Sequence, residues 1–312
     1  MVCIGKTKLE MERLVNPSNT NVINILHGGI MTEWLVEISM ATASRHSNGR
    51  VLLAHVYDIN FSKKVFVGNV VRFISYICNV GNTSMDVLTQ AFVNDEKVVD
   101  SLFTYVAVDS SNRPRIVREK VEPCNEVEEA LYNNVKKIRG NWIIGISKVK
   151  AEKFNIVDEN EGLTNKSKDI FWVSPSQSVD GMIMSASRLL KQMDDLGAIV
   201  AGKYAEGTVV TVHIDESSFH GPVKVGSMLQ LSAAITYVGN TSLEVRINVF
   251  CNDLEGNFFR VTSSYFTYVR IDKDGNPSRV RQYNPLNDYE RKMFEEGVRR
   301  KEERLKKKLL LI

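Results

Sequence analysis

Three features of this chain could do chemistry together: Asn21, the tripeptide His27-Gly28-Gly29 and an isolated acid at Asp194. An apolar, helix-like run follows the two glycines. A polar loop ending in Gly-Gly before a helix offers bare backbone N–H groups at the positive end of a helix dipole. That place suits a phosphate, a carboxylate or the oxyanion of an acyl-transfer reaction. The tripeptide is equally a tight turn when read alone. Asp194 sits beside Met193 in another apolar helix-like run, where a carboxylate is costly to bury without partners and is the kind of group used as a base.

A repeat within the chain brings these distant residues into one frame. Val80-Gly81-Asn82-Thr83-Ser84-Met85-Asp86-Val87 recurs as Val238-Gly239-Asn240-Thr241-Ser242-Leu243-Glu244-Val245, an offset of 158. At that offset Phe61 falls on Phe219, Val67-Gly68 on Val225-Gly226 and Ala43 on Ala201. Phe103-Thr104-Tyr105-Val106 recurs as Phe266-Thr267-Tyr268-Val269 at offset 163, so the second copy is about five residues longer there. Each copy opens with an apolar helix whose core positions are spaced by threes and fours. These are Ile30, Met31, Trp34, Leu35, Ile38 and Ala41, then Leu189, Leu190, Met193, Ala198 and Ile199. Strands are expected over 51–60, 70–80, 84–93 and 98–108, and again over 208–217, 228–238, 242–250 and 260–271. Gly-Asn between strands marks a hairpin turn. One helix followed by antiparallel strands predicts an α+β fold, two tandem hot-dog domains forming an intramolecular pseudo-dimer.

The expected domains are 1–120 and 166–285, with a linker carrying one helix over 121–165 and a charged C-terminal helix over 286–312. Within the linker, 125–139 reads as an amphipathic helix and 158–169 as loop. Trp142-Ile143-Ile144-Gly145-Ile146 reads as a strand or as the second copy's lead-in. The basic tail helix reads as packed on its neighbouring domain; a membrane-binding helix is the alternative.

The two copies differ reciprocally. Asn21 falls opposite Val179, His27-Gly28-Gly29 opposite Ser185-Ala186-Ser187, and Asp194 opposite Val36. Glu37 and Asp195 match one another and read as a shared structural feature. One copy keeps the loop and lacks the acid; the other keeps the acid and lacks the loop. If the loop of one half faces the helix of the other, one composite site keeps every group and its twin has lost them all.

Composition sets outer bounds. At 312 residues the chain can hold two domains with real cores, and 43% apolar with 25% charged residues is ordinary for a globular protein. A net charge of +3 does not argue for nucleic acid. No apolar run reaches the length of a membrane span, and the first residues lack a signal-peptide core. Cys3, Cys78, Cys124 and Cys251 are scattered and read as reduced thiols of a cytoplasmic protein. The histidines show no metal-ligand spacing, so no metal is expected, and His46 and His55 read as structural. Asn82-Thr83-Ser84 fits a glycosylation acceptor, idle without a secretory signal.

Several motifs together resemble the tandem hot-dog acyl-CoA thioesterases, the cytosolic long-chain acyl-CoA hydrolase family. They are Asn21 ahead of His27-Gly28-Gly29, the run Ala41-Thr42-Ala43-Ser44-Arg45-His46, Asn60-Phe61, Val67-Gly68, Met193-Asp194-Asp195, and Phe266-Thr267-Tyr268-Val269. The segment Glu290-Arg291-Lys292-Met293-Phe294-Glu295-Glu296-Gly297 is similar to the family's last helix. The second half departs from the pattern with Ser185-Ala186-Ser187 and Lys203-Tyr204, which puts a second site in doubt.

The resemblance implies hydrolysis of acyl-CoA to coenzyme A and a carboxylic acid, with no cofactor beyond the coenzyme A of the substrate. Asn21 would orient the water or the carbonyl. Gly28 or Gly29 N–H would stabilise the oxyanion. Asp194 would be base or nucleophile, and His27 a structural donor or an acid. Coenzyme A would meet Asn82, Thr83 and Ser84 or their copies Asn240, Thr241 and Ser242, which read equally as plain hairpin turns. A homo-oligomer, a trimer of two-domain chains, is expected, without membrane insertion. Hot-dog hydratase or dehydratase chemistry and a non-catalytic acyl-CoA-binding module are the competing readings.

Overall fold

The computed structural model describes residues 1–152 and 156–307, with side chains for 1–142 and 156–306. The first half runs β1 (Val2–Cys3), β2 (Leu9–Leu14), α1 (Gly28–Ser47), β3 (Val51–Val56), β4 (Ile59–Phe61), β5 (Val70–Val80), β6 (Ser84–Val93), β7 (Glu96–Ala107), β8 (Val121–Glu122) and α2 (Glu126–Glu152). The second runs β9 (Lys166–Trp172), α3 (Ala186–Ala205), β10 (Val209–Ile214), β11 (Ser217–Ser218), β12 (Met228–Val238), β13 (Ser242–Asn252), β14 (Phe258–Arg270) and α4 (Asp288–Lys307).

Among the described residues twelve strands make one antiparallel sheet, in the order β2-β5-β6-β7-β4-β10-β14-β13-β12-β9, with β3 pairing β7 and β11. The halves join where Asn60 of β4 stands opposite His213 of β10, and where Val56 of β3 stands opposite Ser217 of β11. α1 and α3 pack against each other and against the strands of their own halves. That is two hot-dog units sharing one sheet.

α1 is apolar on most sides because most sides are covered: Met31, Trp34, Leu35, Val36 and Ile38 are all buried. A helix that is hydrophobic all round belongs inside a core. It ends at Asn48, whose left-handed φ of 50° is tolerated by asparagine better than by most residues. Phe73, Phe103, Tyr105, Phe266 and Tyr268 complete one continuous core with Leu190 and Val245. Each such side chain contributes about 1.5–3 kcal/mol by leaving water, and Leu35→Ala would cost about 2–5 kcal/mol.

The duplication extends into the outer helices. Asp86, fully buried on β6, takes Arg139 of α2 at 2.6 Å; Glu244, its copy on β13, takes Arg300 of α4 at 2.7 Å. Each helix starts the same way. Asn125 and Asn287 accept from the N–H of Glu128 and Glu290, and these carboxylates reach back to the N–H of Cys124 and Leu286. Both resemble capping boxes, with the carboxylate reaching one residue further back than the N-cap.

Three readings of the sequence need correction. Residues 142–146 are neither strand nor lead-in, because α2 runs through them to Glu152. Residues 166–169, read as the end of a loop, belong to the edge strand β9, and β2 is its counterpart at the other edge. The open face of β9 mixes Lys166 and Lys168 with the exposed Ile170 and Trp172, which hides the strand period. Cys3 and Cys124 are not free thiols: they form a disulfide, their Cα atoms 5.4 Å apart, where β1 runs parallel to β8. Cys78 and Cys251 are free and buried, as expected of reduced thiols. Among the described residues no helix is long and apolar enough to cross a membrane.

Candidate active site

The N-terminus of α1 points at the middle of α3. His27 is the N-cap of α1, and its Nδ1 accepts the Gly29 N–H at 3.2 Å. Gly28 lines an adjoining cleft of about 220 Å³, as do Asn21, His27 and Thr211. A Cβ on Gly28 would stand 2.5 Å from Thr211 Cβ, so glycine lets the loop touch β10. Of the two glycine N–H groups, that of Gly29 is engaged by His27; among the described residues Gly28 N–H has no protein acceptor recorded. Asn21 holds the loop from within, its Oδ1 accepting from Ile23 N–H and Ile25 N–H at 3.1 Å each. No protein acceptor is recorded for its Nδ2 among the described residues, which leaves a donor beside the cleft.

Asp194 is fully buried on α3. Its Oδ1 accepts from Thr211 Oγ1 at 2.8 Å and from Tyr268 Oη at 3.0 Å. Its Oδ2 has no hydrogen-bond partner and lies 3.4 Å from His27 Nδ1. His27 Nε2 faces Asp195 at 3.8 Å. Burial pushes the Asp194 carboxyl above the usual carboxylate range, against the opposing pull of His27, Thr211 and Tyr268. One oxygen is therefore held, and the other has no hydrogen-bond partner.

The second copy of this arrangement is closed. Where Asp194 would be stands Val36, and where Thr211 would be stands Leu53. Tyr105, the counterpart of Tyr268, turns its hydroxyl to Ser39 Oγ at 2.7 Å and to the Val36 carbonyl at 3.2 Å. Gly197 replaces Ser39 in the half that carries Asp194, where any Cβ would collide with the Tyr268 hydroxyl. Ser185 and Ser187 bond one another at 2.7 Å, and Arg50 bridges to Asp180 across the two halves.

The thioesterase superfamily pattern matches twice, over residues 23–99 and 183–256. Protein VdlD of Helicobacter pylori is 33% identical over 135 residues, covering 43% of this chain and 77% of that protein. The chain belongs to the thioesterase superfamily. It is a tandem hot-dog thioester hydrolase by kinship. The cytosolic acyl coenzyme A thioester hydrolase of Rattus norvegicus is 24% identical over 315 residues, spanning 93% of this chain and 81% of that one. An acyl-ACP thioesterase structure from Bacteroides thetaiotaomicron superposes with a TM-score of 0.55 at 14% identity, covering 86% of this chain and 100% of that chain, which supports the shared fold.

In this thioesterase the residues singled out from sequence do not all converge. His27, Gly29 and Asp194 meet, and Asn21, His27 and Gly28 line the adjoining cleft together with Thr211, which bonds to Asp194. Asn82, Thr83 and Ser84 do not join them: Arg139 of α2 donates to Ser84 Oγ at 2.6 Å, and the Asn82 and Thr83 carbonyls accept from Val117 and Ala107. Asn240, Thr241 and Ser242 line a wider depression of about 1130 Å³ that shares Phe61, Val212 and Val269 with the cleft.

Thr211 and Tyr268 were missed as site residues. Thr211 was findable, since its copy is Leu53; Tyr268 was not, since both halves keep the tyrosine. A further polar cluster lies at the junction of the halves. His213 Nδ1 meets Asn60 Oδ1 at 2.6 Å and its Nε2 meets Asp215 at 2.8 Å. Asp58, His213 and Asp215 are close enough to hold a metal ion, but Arg304 donates to both Asp215 oxygens at 2.7 Å and already supplies a cation. With these partners Asp215 is held down to about 2, against its burial.

Proposed function

We propose that this protein hydrolyses acyl-CoA at one composite site, built from the Asn21–Gly29 loop of the first half and Asp194 of the second. The observation that carries this reading is the unpartnered Asp194 Oδ2, buried and facing the N-terminus of α1 across the half boundary. Oδ2 takes a proton from water as the water attacks the thioester carbon. Gly28 N–H, at the helix N-terminus, receives the carbonyl oxygen as it becomes negative. Asn21 Nδ2 orients the water or the carbonyl. The C–S bond breaks and coenzyme A leaves as a thiolate that picks up a proton. Direct attack by Oδ2, giving a mixed anhydride, uses the same geometry.

The phosphates of coenzyme A need cations outside the cleft. Lys63 and Lys64 line its mouth where the other half has Gly221 and Pro222. Arg279, Arg281 and Lys301 border the depression at Asn240–Ser242. Three copies of the chain assemble through surfaces that cover the open edges at β2 and β9. The setting is the cytoplasm, following the relatives named cytosolic. Thiol release from acyl-CoA tests the activity, and light scattering the assembly.

A hydratase reading has one observation in its favour, the His27–Asp194 pair at 3.4 Å. It is weakened by the Gly29 N–H that already occupies His27 Nδ1. Hydration of an enoyl-CoA with no thiol release would favour it.

A further inference from the structure

Ala198 stands four residues after Asp194, on the same face of α3, and lines the cleft whose wall includes Thr211, the partner of Asp194. Its neighbours there are apolar: Met31 of α1, Val209 of β10 and Ile271 beyond β14. The duplicated half is an internal control for this wall. At the offset of 158, Met40 stands for Ala198 and Leu53 for Thr211. Met40 and Leu53 are partly buried and pack against the hydrophobic core. Other walls keep their size, with Phe61 matched by Phe219 and Val65 by Val223. Where the acid is lacking, two larger apolar side chains stand at the positions that Ala198 and Thr211 take beside the cleft.

We propose that Ala198 sets the length of acyl chain the cleft accepts, a role that rests on the acyl-CoA reading above. A chain leaving the thioester carbon at Asp194 Oδ2 and following α3 passes over the Ala198 methyl. The small side chain at this position is what keeps the passage open. Methionine there would rebuild the closed copy, and Met40 shows that the fold accommodates it at the equivalent place.

Ala198→Met and Ala198→Val are compared with wild type on saturated acyl-CoAs from acetyl to palmitoyl, following released thiol. The long-to-short ratio of kcat/KM falls about tenfold or more in Ala198→Met, since a single methylene in an apolar pocket is worth about 10–200-fold. Ala198→Val falls between, and it carries the test if the methionine variant does not fold. An unmoved chain-length profile, or a loss equal at every length, overturns the proposal. Failure of the activity itself is read separately, by titrating the same acyl-CoAs into Asp194→Asn protein with and without Ala198→Met. A shift of binding toward shorter chains supports the role of Ala198 even without turnover; no shift, or no binding at all, overturns it.

Discussion

His27 Nδ1 and Asp194 Oδ2 lie 3.4 Å apart, although 167 residues separate them and they belong to different halves of the chain. Neither half holds both groups. The duplication left one interface with the Asn21 loop, Gly28, Asp194 and Thr211, and the other with Val179, Ala186, Val36 and Leu53. The consequences of that asymmetry can be measured.

The pH dependence follows from the burial of Asp194. Its carboxyl is raised, so the basic form needed for catalysis appears only above the ~4 of an ordinary aspartate. The acid limb of kcat/KM therefore lies at higher pH than a free carboxylate gives. The stability sign runs the other way. With the folded pKa above the unfolded one, stability is greatest below the unfolded value and is lost as pH rises through the folded value. Asp194→Asn removes the buried charge, so its Tm at pH 8 exceeds that of wild type. Thermal melts at pH 4 and pH 8 check this; a lower Tm at pH 8 contradicts it.

Tyr268 is a positioning residue. Its hydroxyl donates to Asp194 Oδ1 and to the Asp194 carbonyl, at 3.0 and 3.1 Å. Tyr268→Phe removes one of two donors to the carboxylate, so the acid limb moves further up in pH and activity recovers in part at alkaline pH. A rate lowered equally at all pH values would mean that the tyrosine only packs.

Asn21 combines two functions that substitution can separate. Its Oδ1 organises the loop and its Nδ2 is available to a ligand. Asn21→Asp keeps the acceptor and removes the donor, so Tm holds within a few degrees while kcat falls about 10²–10³-fold. Equal damage to Tm and kcat would tie the asparagine to folding alone.

The closed copy predicts silent substitutions. Asp180→Ala breaks the Arg50 bridge at the interface that lacks the acid and leaves kcat/KM within about twofold, as expected of a surface ion pair outside the proposed site. A large loss would mean that this interface also turns over substrate.

Cys3–Cys124 closes a loop with a sequence separation of 121. Cys3→Ser lowers stability by about 2–4 kcal/mol under oxidising conditions. Denaturant curves with and without dithiothreitol check this, and under reductant the two proteins converge.

How much was legible depended on what the two copies share. Asp194 and the His27-Gly28-Gly29 loop stood out because Val36 and Ser185-Ala186-Ser187 occupy their places, and an acid has no cheap reason to enter an apolar helix. The long strands were legible from alternation, and β5 and β12 match the expected 70–80 and 228–238. Tyr268 was invisible because Tyr105 preserves the residue and changes only its partner, from Asp194 to Ser39. Edge strands β2 and β9 were hidden by their half-exposed faces. The Cys3–Cys124 contact depends on β1 meeting β8, a pairing of two residues each that leaves no periodic signal.

The most direct measurement is thiol release from acyl-CoA by wild type, Asp194→Asn and Val36→Ala, assayed side by side. The account predicts turnover by wild type and Val36→Ala, and a loss of about 10³-fold or more in Asp194→Asn. Hydrolysis by Asp194→Asn at the wild-type rate would contradict it.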